Sequence, residues 1–183
     1  MNTRIYFVSS NSKKYSEFKE MINFPIEIID IDLEEIQTSD MDKLLKHKVR
    51  QAYYAVKAPV IVEDTALYFN AWNRLPGPLI KWFLKELGVN QLVQALSSFK
   101  DKSARAVCSI GYMDGDVIRV FDGMIEGKIV TPSGNYGFGW DCIFQPEGST
   151  LTFAEMRPGE KNRFSMRQKA LEEFNFFLKG FSI

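Results

Sequence analysis

The chain has 183 residues, 45% of them hydrophobic, which is enough to bury the core of one compact domain. Basic and acidic residues number 23 each, so no net positive charge is available to hold the phosphate backbone of a nucleic acid. A single histidine, His47, and two widely spaced cysteines, Cys108 and Cys142, exclude a zinc site built from these two residue types.

These properties predict a single domain over residues 1–183 that binds any metal through oxygen ligands and has no nucleic-acid partner. The apolar stretches are too short to span a membrane, and the first of them, residues 5–8, is followed by polar residues and not by the core of a signal peptide. We therefore expect a cytoplasmic protein with no membrane partner.

The chain opens with a predicted strand, loop and helix. Residues 4–9 are apolar enough for a buried strand, and the short polar side chains of residues 9–12 favour a turn and a helix cap. Tyr15 and Phe18 then follow at helical spacing, until Pro25 ends the helix.

A second strand, a second helix and a third strand are predicted next. The second strand covers residues 26–32, and the helix covers residues 40–56 with its apolar side chains in one stripe. The third strand, residues 60–62, is very apolar and ends at Glu63 and Asp64. Its composition indicates a central position in the sheet.

The next segment predicts a rigid turn and two helices. Residues 76–78, Pro-Gly-Pro, form the turn, and a helix follows at about residues 79–87. Gly88 separates this helix from another at residues 89–96.

The last part of the chain predicts a hairpin, a loop and a helix. Residues 104–113 and 117–125 are rich in β-forming side chains, and Gly115 between them accepts the positive φ of a hairpin turn. Residues 134–141 form a loop, and the final helix covers about residues 165–178. Early alternation of strands and helices followed by a hairpin predicts an α/β domain with a mixed sheet and a ligand-binding cleft.

The first loop, residues 9–14, could bind phosphate. It joins a strand to a helix N-terminus, where backbone amides and the helix dipole favour an anion, and Lys13 and Lys14 add positive charge. Taken alone, polar turn residues and solvated lysines are the simpler explanation of this loop.

Glu63 and Asp64 follow an apolar run, where charged groups must be paired or bound to a metal. Mg²⁺ prefers carboxylates and bridges to phosphates, so these acids facing the lysine loop would form a phosphate-transfer site. Helix-cap and turn chemistry explains the position equally well. Glu34 and Glu35 end the second predicted strand and could face the same cleft, although a solvated acidic turn is the simpler interpretation.

Residues 138–141, Phe-Gly-Trp-Asp, could hold a purine between aromatic rings, with Asp141 accepting hydrogen bonds from the base. Lys161 and Arg167 could donate to carbonyl oxygens of that base. Core packing at a tight turn is the simpler explanation of the aromatic residues, and surface exposure explains the two cations equally well.

Six short motifs follow one another along nearly the whole chain: Ser10-Asn11-Ser12-Lys13-Lys14, Val62-Glu63-Asp64-Thr65, Leu75-Pro76-Gly77-Pro78, Phe138-Gly139-Trp140-Asp141, Thr152-Phe153-Ala154-Glu155-Met156 and Lys161-Asn162. Their joint order and spacing resemble the inosine triphosphate pyrophosphatase family. The resemblance implies an elongated mixed β-sheet flanked by helices, two lobes with a central nucleotide-binding cleft, and a homodimer. It also implies Mg²⁺-dependent hydrolysis of ITP, dITP and XTP to the monophosphate and pyrophosphate.

The resemblance also assigns roles to residues. Lys14, Glu63 and Asp64 are predicted to act in catalysis, and Glu35 and Asp64 to bind the metal. The predicted substrate-binding residues are Ser9, Ser10, Asn11, Lys14, Lys48, Thr65, Lys81, Phe138, Gly139, Trp140, Asp141, Lys161, Met166 and Arg167.

The sequence departs from the family pattern at several positions. Met166 replaces a histidine that contacts the base, so a hydrogen-bond donor is lost and base preference is open. Ser10 replaces a glycine of the phosphate loop, and Cys142 replaces a proline. Two alternatives to the hydrolysis of deaminated purine triphosphates therefore stay open: hydrolysis of another modified or pyrimidine triphosphate, and nucleotide binding without catalysis.

Overall fold

A computed structural model describes residues 4–22 and 25–180, in which seven strands form one mixed sheet. The strands are β1 (Ile5–Val8), β2 (Ile26–Ile29), β3 (Val60–Phe69), β4 (Pro76–Gly77), β5 (Ser103–Asp114), β6 (Val117–Ile129) and β7 (Phe144–Pro146). The helices are α1 (Ser12–Met21), α2 (Met41–Val56), α3 (Ile80–Ala95), α4 (Pro158–Lys161) and α5 (Met166–Lys179). The predicted domain also includes residues 1–3, 23–24 and 181–183, which lie outside the described residues.

The strand order is β2-β1-β3-β5-β6-β7, with β4 paired to β3 beside this path. β1 pairs in parallel with β2 and β3, whereas the remaining pairs are antiparallel. The predicted mixed α/β sheet flanked by helices is therefore confirmed.

The two faces of the sheet bury different hydrophobic clusters. On one face α2 places Leu45 and Val49 against Val60 and Val62 of β3. On the other face α1 and α5 pack over β1, β3, β5 and β6, and Phe7 stacks on Phe18 with ring centroids 4.6 Å apart. Side chains alternate along a strand, so neighbouring residues of β3 enter different clusters.

β3 is longer than the sequence predicts. It runs through Glu63 and Asp64 to Phe69, because β5 pairs with it along its whole length, whereas β1 pairs only with Val60 and Ile61. The prediction that the two acids end the strand is wrong. They lie inside the strand, just past Ile61, where the pairing of β3 with β1 ends.

β2 is shorter than predicted and ends at Ile29, so Glu35 lies in the irregular segment before α2 and not at a strand end. The predicted break at Gly88 is confirmed, since its φ of 70° interrupts α3. The hairpin is also confirmed, with Gly115 at φ 57°. The short elements β7 and α4 were not predicted, because each is too short to show a periodic pattern.

Candidate functional site

A cavity of about 530 Å³ lies at the open edge of β3. It is bounded by the loop before α1, the segment before α2, the start of α3, the loop before β7 and the start of α5. Every predicted site residue lines it: Ser9, Ser10, Asn11, Lys14, Glu35, Lys48, Glu63, Asp64, Thr65, Lys81, Phe138, Gly139, Trp140, Asp141, Lys161, Met166 and Arg167. The structure thus brings these residues together, and their roles stay predictions.

The loop before α1 is ordered by its own side chains. Ser9 Oγ accepts a hydrogen bond from the backbone amide of Asn11 at 3.1 Å. Asn11 Oδ1 caps the helix by accepting from the amides of Lys13 and Lys14 at 3.1 and 3.2 Å. These two amides, which we expected to be free for an anion, are therefore already bonded, and the Lys14 side chain is left as the cationic group of this loop facing the cavity.

Asp64 is held between two lysines on the α2 face of β3. Its Oδ1 lies 3.2 Å from Lys14 Nζ, and its Oδ2 lies 2.8 Å from Lys48 Nζ. Lys48 also contacts Glu35 Oε1 at 2.9 Å, and Glu35 Oε2 lies 3.2 Å from Lys81 Nζ. Three cations and two carboxylates thus alternate along one wall of the cavity.

This arrangement shifts the pKa values of its members. Burial alone would raise the pKa of Asp64, but the charges of Lys14 and Lys48 and a hydrogen bond from the Thr65 amide hold it well below its ordinary value. Burial alone would lower the pKa of Lys14, but the nearby carboxylates of Asp64 and Glu63 raise it instead. Both groups are therefore charged at neutral pH.

Glu35 reaches the cavity because α2 fixes the segment that carries it. Gln51 accepts a hydrogen bond from the backbone amide of Glu34 at 3.1 Å and donates to the Glu34 carbonyl at 3.0 Å. Sequence analysis missed Gln51, since a glutamine on a helix has no distinctive pattern. The role of Gln51 is visible only in the fold, which places α2 beside the segment that carries Glu34 and Glu35.

Glu63 occupies the opposite face of β3, and its side chain is wholly buried. Its Oε1 accepts from Arg167 Nη2 at 3.1 Å and from Cys108 Sγ at 3.1 Å. Its Oε2 lies 3.5 Å from Lys14 Nζ. Although burial would raise its pKa, the charges of Arg167 and Lys14 lower the pKa of Glu63 below its ordinary value.

A second charged cluster lies beside the aromatic loop. Lys161 Nζ contacts Asp141 Oδ2 at 2.8 Å and Glu17 Oε1 at 2.9 Å, and it lies 5.6 Å from the centre of the Phe138 ring. Asp141 Oδ2 also accepts from the Phe138 amide at 2.9 Å. Burial raises the pKa of Asp141 above its ordinary value, with Lys161 opposing the shift.

Glu17 is the clearest residue that sequence analysis missed. Its second carboxylate oxygen pairs with Arg167 Nη1, so one side chain of α1 joins Lys161 and Arg167. The available signal was its position three residues after Lys14, which places both on one side of the helix. In the sequence, Glu17 resembles any solvated carboxylate on the surface of a helix.

Trp140 and Met166 combine packing with cavity lining. Trp140 is 6% exposed and packs edge-on to Phe144 at 5.7 Å, while Met166 is 3% exposed in the same hydrophobic cluster. Both also border the cavity. The core-packing interpretation of Trp140 is therefore correct, Met166 packs in the same way, and both still belong to the cavity lining.

Glu35 and Asp64 suit a hard cation such as Mg²⁺. The two carboxylates already share one cation, the Lys48 ammonium, at 2.9 and 2.8 Å. Within the described residues no three Asp, Glu, His or Cys side chains cluster as a complete metal site. Mg²⁺ takes one or two carboxylates and completes its shell with water and phosphate oxygens, so the pair Glu35 and Asp64 would be enough to hold it, and this role stays a prediction.

Comparison with known proteins identifies relatives over nearly the whole chain. The family model described as Ham1 family matches residues 5–177. An inosine triphosphate pyrophosphatase of Candida albicans is 46% identical over 150 residues, 81% of this chain and 74% of the relative. One of Schizosaccharomyces pombe is 42% identical over 180 residues, 96% and 95% of the two chains. The structure of a HAM1 protein from Coxiella burnetii superimposes with a TM-score of 0.85 at 28% identity, covering 97% and 99%.

Proposed function

This chain belongs to the Ham1 family, and on that premise we propose that it hydrolyses deaminated purine nucleoside triphosphates, ITP, dITP and XTP, to the monophosphate and pyrophosphate. Relatives from two yeasts carry the name inosine triphosphate pyrophosphatase. The observation that carries the proposal is one cavity with a lysine and carboxylate wall at one end and an aromatic, acid-containing pocket at the other. A triphosphate and a flat base fit these two ends.

The lysine wall supplies charge for the phosphates. Lys14, Lys48 and Lys81 all border the cavity, and an ion pair with substrate can replace their present pairs with carboxylates. Bound Mg²⁺ would neutralise phosphate charge and polarise the phosphorus, with Glu35 and Asp64 as its protein ligands. Glu63 and Asp64 would orient a water molecule for attack on the α-phosphorus, with pyrophosphate as the leaving group.

The aromatic end would hold the base. Phe138 offers a ring face, and Asp141 offers acceptor oxygens for a ring N–H. Arg167 would be the donor for a base carbonyl; its Nη1 and Nη2 pair with Glu17 and Glu63, and its Nε has no acceptor among the described residues. Replacing a hydrogen-bonded carbonyl by the amino group of adenine would leave such donors unpaired, at about 1 to 3 kcal/mol.

The test is pyrophosphate release by the purified protein with Mg²⁺, measured over a panel of ITP, dITP, XTP, ATP, GTP and the pyrimidine triphosphates. We expect ITP, dITP and XTP to have the highest kcat/KM. Turnover of none would favour a nucleotide-binding protein, and a pyrimidine preference would overturn the substrate assignment. The variant Met166→His, in the same panel, measures how far the missing imidazole sets base selectivity.

We also propose a cytoplasmic homodimer, which the family resemblance implies. The free thiols Cys108 and Cys142 are in keeping with a reducing compartment. None of the helices within residues 4–22 and 25–180 combines the length and apolarity that a membrane crossing requires. Sedimentation equilibrium tests the dimer, and a molecular mass near the 21.1 kDa of one chain would contradict it.

A further inference from the structure

The two carboxylate oxygens of Glu63 have different surroundings. Oε1 accepts two hydrogen bonds, from Arg167 Nη2 and Cys108 Sγ, both at 3.1 Å. Oε2 is buried and receives no hydrogen bond from the described residues, and Lys14 Nζ lies 3.5 Å from it. The carboxylate is therefore anchored through one oxygen and has spare acceptor capacity on the other, which is on the side of Lys14.

The position of Cys108 follows from the pairing of β3 with β5. Thr65 is its direct partner across the strands and Glu63 is paired with Ile110, so Cys108 is the diagonal neighbour of Glu63 on the same face. The thiol is fully buried. Burial and the charge of Glu63 raise its pKa well above the ordinary value, so it stays protonated and can donate.

We propose that Cys108 is a positioning residue, whose thiol, with Arg167, fixes the Glu63 carboxylate so that Oε2 faces Lys14 and the substrate. This inference rests on the proposed function, in which Glu63 orients the attacking water. Without the thiol, Oε1 would keep only its contact with Arg167 and Oε2 only its longer 3.5 Å ion pair with Lys14, so the carboxylate could rotate. The second contact, from β5, prevents this rotation.

The alternative is that Cys108 only fills space in the sheet. Its hydrophobic cluster contains alanines at neighbouring positions of β5, Ala104 and Ala106, so a small apolar side chain suits this face of the strand. A space-filling role predicts that Cys108→Ala is nearly silent and that Cys108→Ser gives no advantage over it. A positioning role predicts that Cys108→Ala loses activity and that Cys108→Ser retains it.

The first experiment measures pyrophosphate release from ITP with Mg²⁺ by the wild type, Cys108→Ala and Cys108→Ser, with Cys142→Ala as the thiol control. We expect Cys108→Ala to lower kcat by about 10-fold or more with KM within about 3-fold, since small displacements of a reacting group have large effects on rate. Cys108→Ser, which keeps a donor, should stay within about 3-fold of the wild-type kcat. A wild-type kcat in Cys108→Ala, or equal losses in both variants, would overturn the proposal.

The second experiment is independent of turnover. In the Cys142→Ala background Cys108 carries the only thiol, and its S–H stretching band in the Raman spectrum reports the hydrogen bond. Glu63→Gln should shift that band to the frequency of a weaker hydrogen bond, and an unchanged band would overturn the proposal. If the wild type released no pyrophosphate from any triphosphate, the proposed function would fail, and the Raman result would still decide whether Cys108 holds Glu63.

Discussion

Asp64 and Glu63, neighbouring acids on opposite faces of β3, have different surroundings. Asp64, on the α2 face, is 16% exposed and is held by two lysines, Lys14 and Lys48. Glu63, on the α5 face, has no exposed surface and is held by Arg167, which is 2% exposed, and by Cys108. One peptide bond therefore separates a partly exposed carboxylate from a fully buried one, and both border the cavity.

This difference determines which ion-pair partner of each acid a bound ligand can replace. Lys14 and Lys48 border the cavity, so they can turn toward phosphate, and Asp64 can then turn toward a cation. Removing Arg167 from Glu63 would instead leave a buried charge without its main partner. The α2 face is therefore suited to exchange, and the α5 face to fixed geometry.

Arg167→Met should produce the largest effect on stability. It leaves Glu63 charged in a buried site, and the free energy of unfolding should fall by about 3 to 5 kcal/mol. Urea denaturation measures the loss, with Arg50→Met, an exposed arginine of α2, as the matched control. A loss no greater than that of Arg50→Met would show that the α5 face does not depend on this pair.

Asp64→Asn should remove activity and keep the fold. The amide lacks the charge that would bind a cation, and kcat should fall by about 10²- to 10³-fold, the size of effect seen when a charge-stabilising group is removed. Pyrophosphate release and thermal unfolding measure the two properties. Asp42→Asn on exposed α2 surface is the control, and unchanged turnover in Asp64→Asn would refute the metal assignment.

Lys14→Ala should weaken triphosphate binding more than catalysis. One charged contact to phosphate is lost, so KM should rise by about 10-fold, equal to about 1.4 kcal/mol. Steady-state kinetics with ITP measures the change, and exposed Lys13→Ala is the control. Equal KM values for the two variants would remove Lys14 from the phosphate site.

Tyr112→Phe should have the smallest effect and appear only at high pH. Tyr112 lies on the α5 face, where burial and Asp114 raise its pKa to about 12. The folded protein keeps the phenol proton after the unfolded chain has lost it, so stability falls as pH rises from the ordinary value of 10 through about 12.

The free energy of unfolding, measured by urea denaturation from pH 8 to 12, should fall less steeply in Tyr112→Phe than in the wild type over the upper part of this range. Tyr54→Phe, at a side chain that is 68% exposed, is the control. Identical slopes for the wild type and Tyr112→Phe would contradict the assignment.

Local patterns in the sequence were enough to predict most helices and strands. Helical spacing located α1, α2 and α5 within one or two residues at their starts, and the glycine at Gly115 located the β5–β6 hairpin. The family resemblance that the motifs carry named the predicted site residues between Ser9 and Arg167, all of which line the cavity. These are properties of short segments, so they can be read directly from the chain.

Only the tertiary structure decided how the two acids are separated. The pairing with β5 extends β3 beyond Asp64, and the alternation of side chains then sends Glu63 and Asp64 to different faces. The partners of Glu63 lie 45 and 104 positions away, at Cys108 and Arg167. Contacts over such separations depend on how the elements pack against one another, and no local periodicity encodes that packing.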